Sequence, residues 1–147
     1  EARTQMALGS LLAGLALASA RLGLVHGLAH PVGARYALPH GLVCGRFLPA
    51  VLAFNQAAAA PRYHRAAQAL GLESGTALVP WVTTLCEDLG ASMPLSTVGA
   101  SEADIDALVD PVLSAGSTAY NPRKPTAGDV RELLRQAIDG ERPRGQA

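Results

Sequence analysis

The stretch Val25-His26-Gly27-Leu28-Ala29-His30-Pro31-Val32-Gly33-Ala34-Arg35-Tyr36-Ala37-Leu38-Pro39-His40-Gly41 decides how the chain reads, because it holds three of the four histidines among chain-breaking residues. His26 and His30 are four apart, so on a helix they share a face about 6 Å apart along the axis. On one continuous helix His40 would lie about 21 Å beyond His26, too far to share a metal whose bonds to imidazole are near 2 Å. The chain must therefore fold back if the three act together. Pro31, Gly33 and Pro39 supply the break: a second helix from about Leu22 to His30, a corner, then a third helix with Pro39 in its first turn, where its missing N–H is harmless.

Taken singly, each of these histidines also reads as a core residue hydrogen-bonded to backbone carbonyls, and His64, between Tyr63 and Arg65, reads as solvated surface. Three together favour a metal or catalytic site. No carboxylate completes the set, since there is no Asp or Glu between Glu1 and Glu73. A redox-capable divalent metal on two or three imidazoles would be under-coordinated, so further ligands must come from elsewhere. A zinc variant would add Cys44, four residues after His40, but no second cysteine stands close in sequence.

Outward from this stretch the chain reads as helices divided by Gly and Pro. Between Arg3 and Arg21 lie 17 uncharged residues. That run is short for a membrane span of ~20 apolar residues, and it lacks the basic start of a signal peptide, although Ala18-Ser19-Ala20 would serve as a cleavage site. The reading preferred is a first helix, Ala2 to Ala20, buried on nearly all sides. The third helix runs through Val51 and Phe54, Ala57 to Pro61 is an ambiguous join, and Tyr63 to Leu70 is helical and stops at Gly71. Leu78, Val79, Val82 and Leu85 mark a helix ending near Gly90. Ser101 with Asp104, and Thr126 with Asp129, have capping-box spacing and open the last two helices. The expected fold is all-α, a bundle of about seven helices, with a helical metal-binding domain over 1–140 and a flexible tail over 141–147.

Composition narrows the function classes. With 147 residues, 12 basic against 12 acidic side chains and only 16% charged residues, one domain, neutral on balance and unusually low in charge, is expected. Neutral balance argues against nucleic-acid or acidic-membrane partners. Two cysteines make no disulfide framework and favour a reducing, cytoplasmic setting. No strand-borne glycine-rich turn for a dinucleotide is present.

The segment Gly23 to Asn55 resembles the iron-containing (group III) alcohol dehydrogenase family, relatives of glycerol dehydrogenase and dehydroquinate synthase. The residues that carry the resemblance are His26-Gly27-Leu28-Ala29-His30-Pro31-Val32-Gly33, Pro39-His40-Gly41, and Leu48-Pro49-Ala50-Val51 through Asn55. Weaker similarity reaches Asn121-Pro122-Arg123. The resemblance implies the C-terminal helical domain of that fold, N-terminally truncated, with the nucleotide-binding domain as a missing partner. It also implies metal ligation by His26 and His40, with an Asp and a third His on an earlier helix outside this sequence. His30 is implied to lie near metal and nicotinamide as a proton relay or substrate contact.

The function so implied is NAD(P)-linked oxidation of an alcohol, or reduction of an aldehyde or ketone, using a divalent metal, iron first and zinc second. The chain alone is expected to be inactive. A maleylacetate reductase or glycerol dehydrogenase-like relative is an alternative within the family. From other classes come a non-catalytic helical binding or assembly module and a small membrane-associated protein. No membrane partner is expected on the preferred reading, homo-oligomerisation is an open alternative, and apolar surface is expected to be exposed around His26 and His40 or covered by self-association.

Overall fold

The computed structural model describes residues 1–143, and among these there are six α-helices, four 3₁₀ turns and no strand. The helices are α1 (Ala2–Ala20), α2 (Leu24–Tyr36), α3 (His40–Ala69), α4 (Leu78–Asp88), α5 (Ile105–Ser114) and α6 (Ala127–Asp139). α3 is the central rod, with α2, α4 and α6 against it, and α5 closes on α2 and α6. The main core lies between α2, α3, α5 and α6, built on Leu28, Val32, Phe47, Val112, Val130 and Leu134. A smaller cluster of Leu78, Val82 and Cys86 packs with Leu48, Leu52 and Tyr63 on the other flank of α3.

α2 does not stop at His30 but runs through Pro31 to Tyr36. A mid-helix proline costs about 3 kcal/mol through the lost N–H and the clash with the preceding turn. Leu24, Leu28 and Val32 on the same helix are fully buried, and at about 1.5–3 kcal/mol each they outweigh that cost. α3 likewise continues unbroken through Ala57 to Pro61, so the expected join is helix. Four consecutive alanines are the strongest helix formers available, and Ala59 and Ala67 carry the buried face onward.

α1 departs furthest from expectation: every residue from Glu1 to Arg21 is exposed, and no α1 side chain enters the core. The run is helical because Ala and Leu favour helix without help from packing, but its apolar residues circle the helix rather than forming one inward stripe. At Arg21 the backbone turns through a positive φ of 62°, and α1 meets α2 at 106°.

Both capping boxes form. The Ser101 N–H and hydroxyl each donate to Asp104 Oδ2 at 2.9 Å. At the second, the Thr126 N–H donates to Asp129 Oδ2 at 2.8 Å and the Asp129 N–H donates back to Thr126 Oγ1 at 3.2 Å. Gly71 and Gly140 end α3 and α6 in the left-handed conformation. Arg46, buried on α3, donates from Nε to Ala137 O at 3.2 Å and from Nη2 to Gln136 O in the last turn of α6, where Gln136 O also accepts the Gly140 and Glu141 N–H groups. Of the segment expected as a tail, 144–147 lies outside the described residues, and Arg142 forms a bidentate pair with Glu87 at 2.8 and 2.9 Å.

Candidate metal centre

The corner between α2 and α3 is three residues long. Ala37 takes φ 52°, its N–H and that of Leu38 both reaching back to Gly33 O, and Pro39 then caps α3 from an extended backbone. This reversal sets the first turn of α3 beside the face of α2 that carries His26 and His30. The ring centroids are 5.2 Å apart for His26 and His40, 5.3 Å for His30 and His40, and 6.0 Å for His26 and His30. The separation that a continuous helix would impose is thus removed, with His26 and His30 on the incoming helix and His40 the first residue of the outgoing one.

Cys44 joins them. One turn along α3 from His40, its Sγ lies 3.4 Å from His40 Nε2. Donor atoms of His26, His40 and Cys44 all fall within 4.8 Å of one another, without His30 and, among the described residues, without a carboxylate. His26 and Cys44 are half-buried while His30 and His40 are exposed. Burial, reinforced by repulsion from His40 and then His30, pushes the His26 imidazole below its usual value, which favours the neutral form that metals bind. Burial alone pushes the Cys44 thiol up.

Beside the cluster is an open hollow of about 640 Å³ that His30 shares with Leu17, Leu22, Ser117 and Tyr120. None of these four was marked as a site residue by sequence, because they come from separate segments; the one local signal was that Tyr120 immediately precedes Asn121-Pro122-Arg123, with Ser117 one turn earlier. His30 stacks on His40 at an interplanar angle of 27°, so its ring spans the distance between the hollow and the donor cluster. His64 is exposed and stands apart from the group, as surface.

The α2 end of the site is fastened by Asn121. Its Oδ1 accepts the Leu24 N–H at 3.1 Å and an Asn55 Nδ2 hydrogen at 3.0 Å, while its own Nδ2 donates to Asn55 Oδ1 and to Arg123 O, both at 2.7 Å. Arg123 lies over the Phe54 ring, 3.9 Å from its centroid, and pairs with Asp129 at 2.9 Å. The motif residues around Asn55 and Asn121 therefore hold helices rather than ligands.

Residues 1–138 match the family model of the Fe-containing alcohol dehydrogenase family, C-terminal. The chain is 37% identical over 145 residues to the lactaldehyde reductase of Escherichia coli K12, covering 93% of this chain and 38% of that protein. It is 33% identical to the 1,3-propanediol dehydrogenase of Klebsiella pneumoniae, again covering 38% of its length. Among solved structures, the alcohol dehydrogenase from Oenococcus oeni superposes with a TM-score of 0.86 at 31% identity, over 92% of this chain and 38% of that one. The chain thus spans little more than a third of the length of the relatives it matches.

Proposed function

The chain belongs to the iron-containing alcohol dehydrogenase family, as its C-terminal helical part, and from that premise we propose that it supplies half of the metal centre of an NAD(P)-linked enzyme interconverting a small alcohol with its aldehyde or ketone. What supports the reading is the convergence of His26, His30 and His40 at one corner, with ring centroids no more than 6.0 Å apart. His26 and His40 would hold a divalent metal, iron first and zinc second, for their donors are close enough and His26 is biased to the neutral state. A metal there supplies Lewis-acid polarisation of the alcohol oxygen.

His30 is read as the proton relay. It is not in the tight donor group, yet it lines the hollow and stacks on His40, so a ring nitrogen can take the alcohol proton from a molecule in the hollow and pass it to solvent. Leu17, Leu22 and Tyr120 give that hollow apolar walls suited to a short carbon chain. The names of the lactaldehyde and propanediol relatives favour short hydroxylated substrates. The nicotinamide cofactor and the remaining metal ligands belong to a nucleotide-binding domain and an earlier helix, and the setting is read as cytoplasmic. α3, the one described helix that by itself is long and apolar enough to cross a membrane, has half of that window buried in the domain, as core helices do.

The test is made in the full-length protein carrying this chain, with a panel of short alcohols and diols and both nicotinamide cofactors. His26→Ala and His40→Ala are expected to lose bound metal and activity together. His30→Ala should retain metal while kcat falls by about 10²-fold or more. Unchanged metal content and turnover in His26→Ala would sink the reading.

A further inference from the structure

We infer that the hollow beside His30 contains a carboxylate subsite built on Arg21, so that the alcohol taken there is a short hydroxy acid, exchanged with the corresponding aldehyde acid or oxo acid. The inference rests on the reading of the hollow as the place of the alcohol and adds what the rest of that molecule must carry. Arg21 lines the hollow together with His30 and Ser117, and its guanidinium is the one permanent charge in a lining that holds no acid. The flanking sequence supplies no counter-charge either, for there is no Asp or Glu between Glu1 and Glu73 or between Asp110 and Asp129. A guanidinium pairs with a carboxylate through two parallel N–H···O bonds, which a neutral diol cannot reproduce.

The backbone singles out this arginine. Arg21 has φ 62° and ψ −176°, a region that glycine enters freely and other residues enter only under strain. Glycine would make the same turn between α1 and α2 unstrained, so what arginine adds at this position is its side chain. That side chain lies over the Tyr120 ring, 6.0 Å from its centroid, a contact that uses none of the guanidinium N–H donors. Ser117 offers a further donor, since its Oγ is buried without a hydrogen-bond partner. A buried hydroxyl left unpaired is uncommon, and a carboxylate oxygen in the hollow would satisfy it. The apolar walls given by Leu17 and Leu22 suit the few methylenes that join a carboxylate to a carbinol carbon near His30. The carboxylate is held and not changed; bonds are made and broken at the carbinol end alone.

The test uses the full-length protein carrying this chain, with both nicotinamide cofactors. The probes are ω-hydroxy acids of three and four carbons, each set against the terminal diol of the same length, so that the members of a pair differ only at the far end. kcat/KM is expected to favour the acid by about tenfold or more. Arg21→Gly removes the guanidinium and relieves the backbone, so its unfolding midpoint should not fall. In that variant the acid's KM should rise by about tenfold or more, and the acid-to-diol ratio of kcat/KM should drop toward one. Arg21→Lys should keep part of the preference, because it keeps the charge and loses the fork. Arg65→Gln, at an exposed position near the far end of α3, should leave the ratio as it is. A diol used as well as its acid, or an acid preference that survives Arg21→Gly, would overturn the carboxylate subsite and leave the dehydrogenase reading standing. Turnover of neither member of any pair would overturn that reading, and this one with it.

Discussion

Each of the two histidines read as ligands is followed by a glycine, and the two glycines have different reasons to be there. A Cβ on Gly27 would stand 2.0 Å from Thr118 Oγ1, and that hydroxyl is pinned by its own 2.7 Å hydrogen bond to Val112 O. A Cβ on Gly41 would meet nothing within 4 Å. Gly27→Ala should therefore force α2 away from the 118–120 turn and lower stability by about 1–3 kcal/mol. Gly41→Ala should be neutral or stabilising by up to about 1 kcal/mol, since alanine is the better helix former. Urea unfolding of both variants checks this, and equal midpoints would contradict the close approach. The histidines themselves were legible because residue type and spacing suffice to find them. Thr118 was not, because nothing local to Gly27 tells which distant turn will touch it.

At the scale of elements, local signals were read correctly and competitions were not. Ser101 with Asp104 and Thr126 with Asp129 declare helix starts within four residues, and both boxes form. Pro31 was expected to end α2 because proline's penalty is local, whereas the burial of Leu28 and Val32 that overrides it depends on α3 and α5. Alanines 57–60 looked like a join for want of a pattern, although their propensity alone carries α3 through. Asn55 and Asn121 stood out as motif positions without a reason, and the structure supplies one: α3 holds the loop that caps the first N–H of α2. Asn55→Ala removes two amide hydrogen bonds and leaves the buried Asn121 partly unsatisfied. The expected loss is about 1–3 kcal/mol. Because α2 carries His26, a lower content of bound metal in the full-length protein should accompany the lower unfolding midpoint; a variant that loses stability while keeping its full metal content would show that the knot does not position the site.

Across the whole molecule, the shortage of charge and the position of α1 are one problem. Met6, Leu11 and Leu15 are 74%, 60% and 63% exposed, on a helix without a charged residue between Arg3 and Arg21. Apolar surface of that extent along a single helix marks a face that something else covers, in a chain that spans 38% of the length of its lactaldehyde reductase relative. The sequence led to an expectation of burial because an uncharged Leu- and Ala-rich run normally finds its partner within its own domain; here the core closes from Leu24 onward without it. α1 also hangs from Arg21, whose φ of 62° and ψ of −176° are a conformation that costs a non-glycine residue about 1–3 kcal/mol. A helix with no buried side chain draws no stability from packing, so it opens without the rest of the fold. In native-state hydrogen exchange of the chain at low concentration, amides of α1 should exchange in the fastest class while those of α2 and α3 follow global unfolding. If α1 amides were as protected as those of α3, α1 would be docked on the domain and the exposed-helix arrangement would be wrong. Protection that grows with chain concentration would show instead that a second copy covers this face.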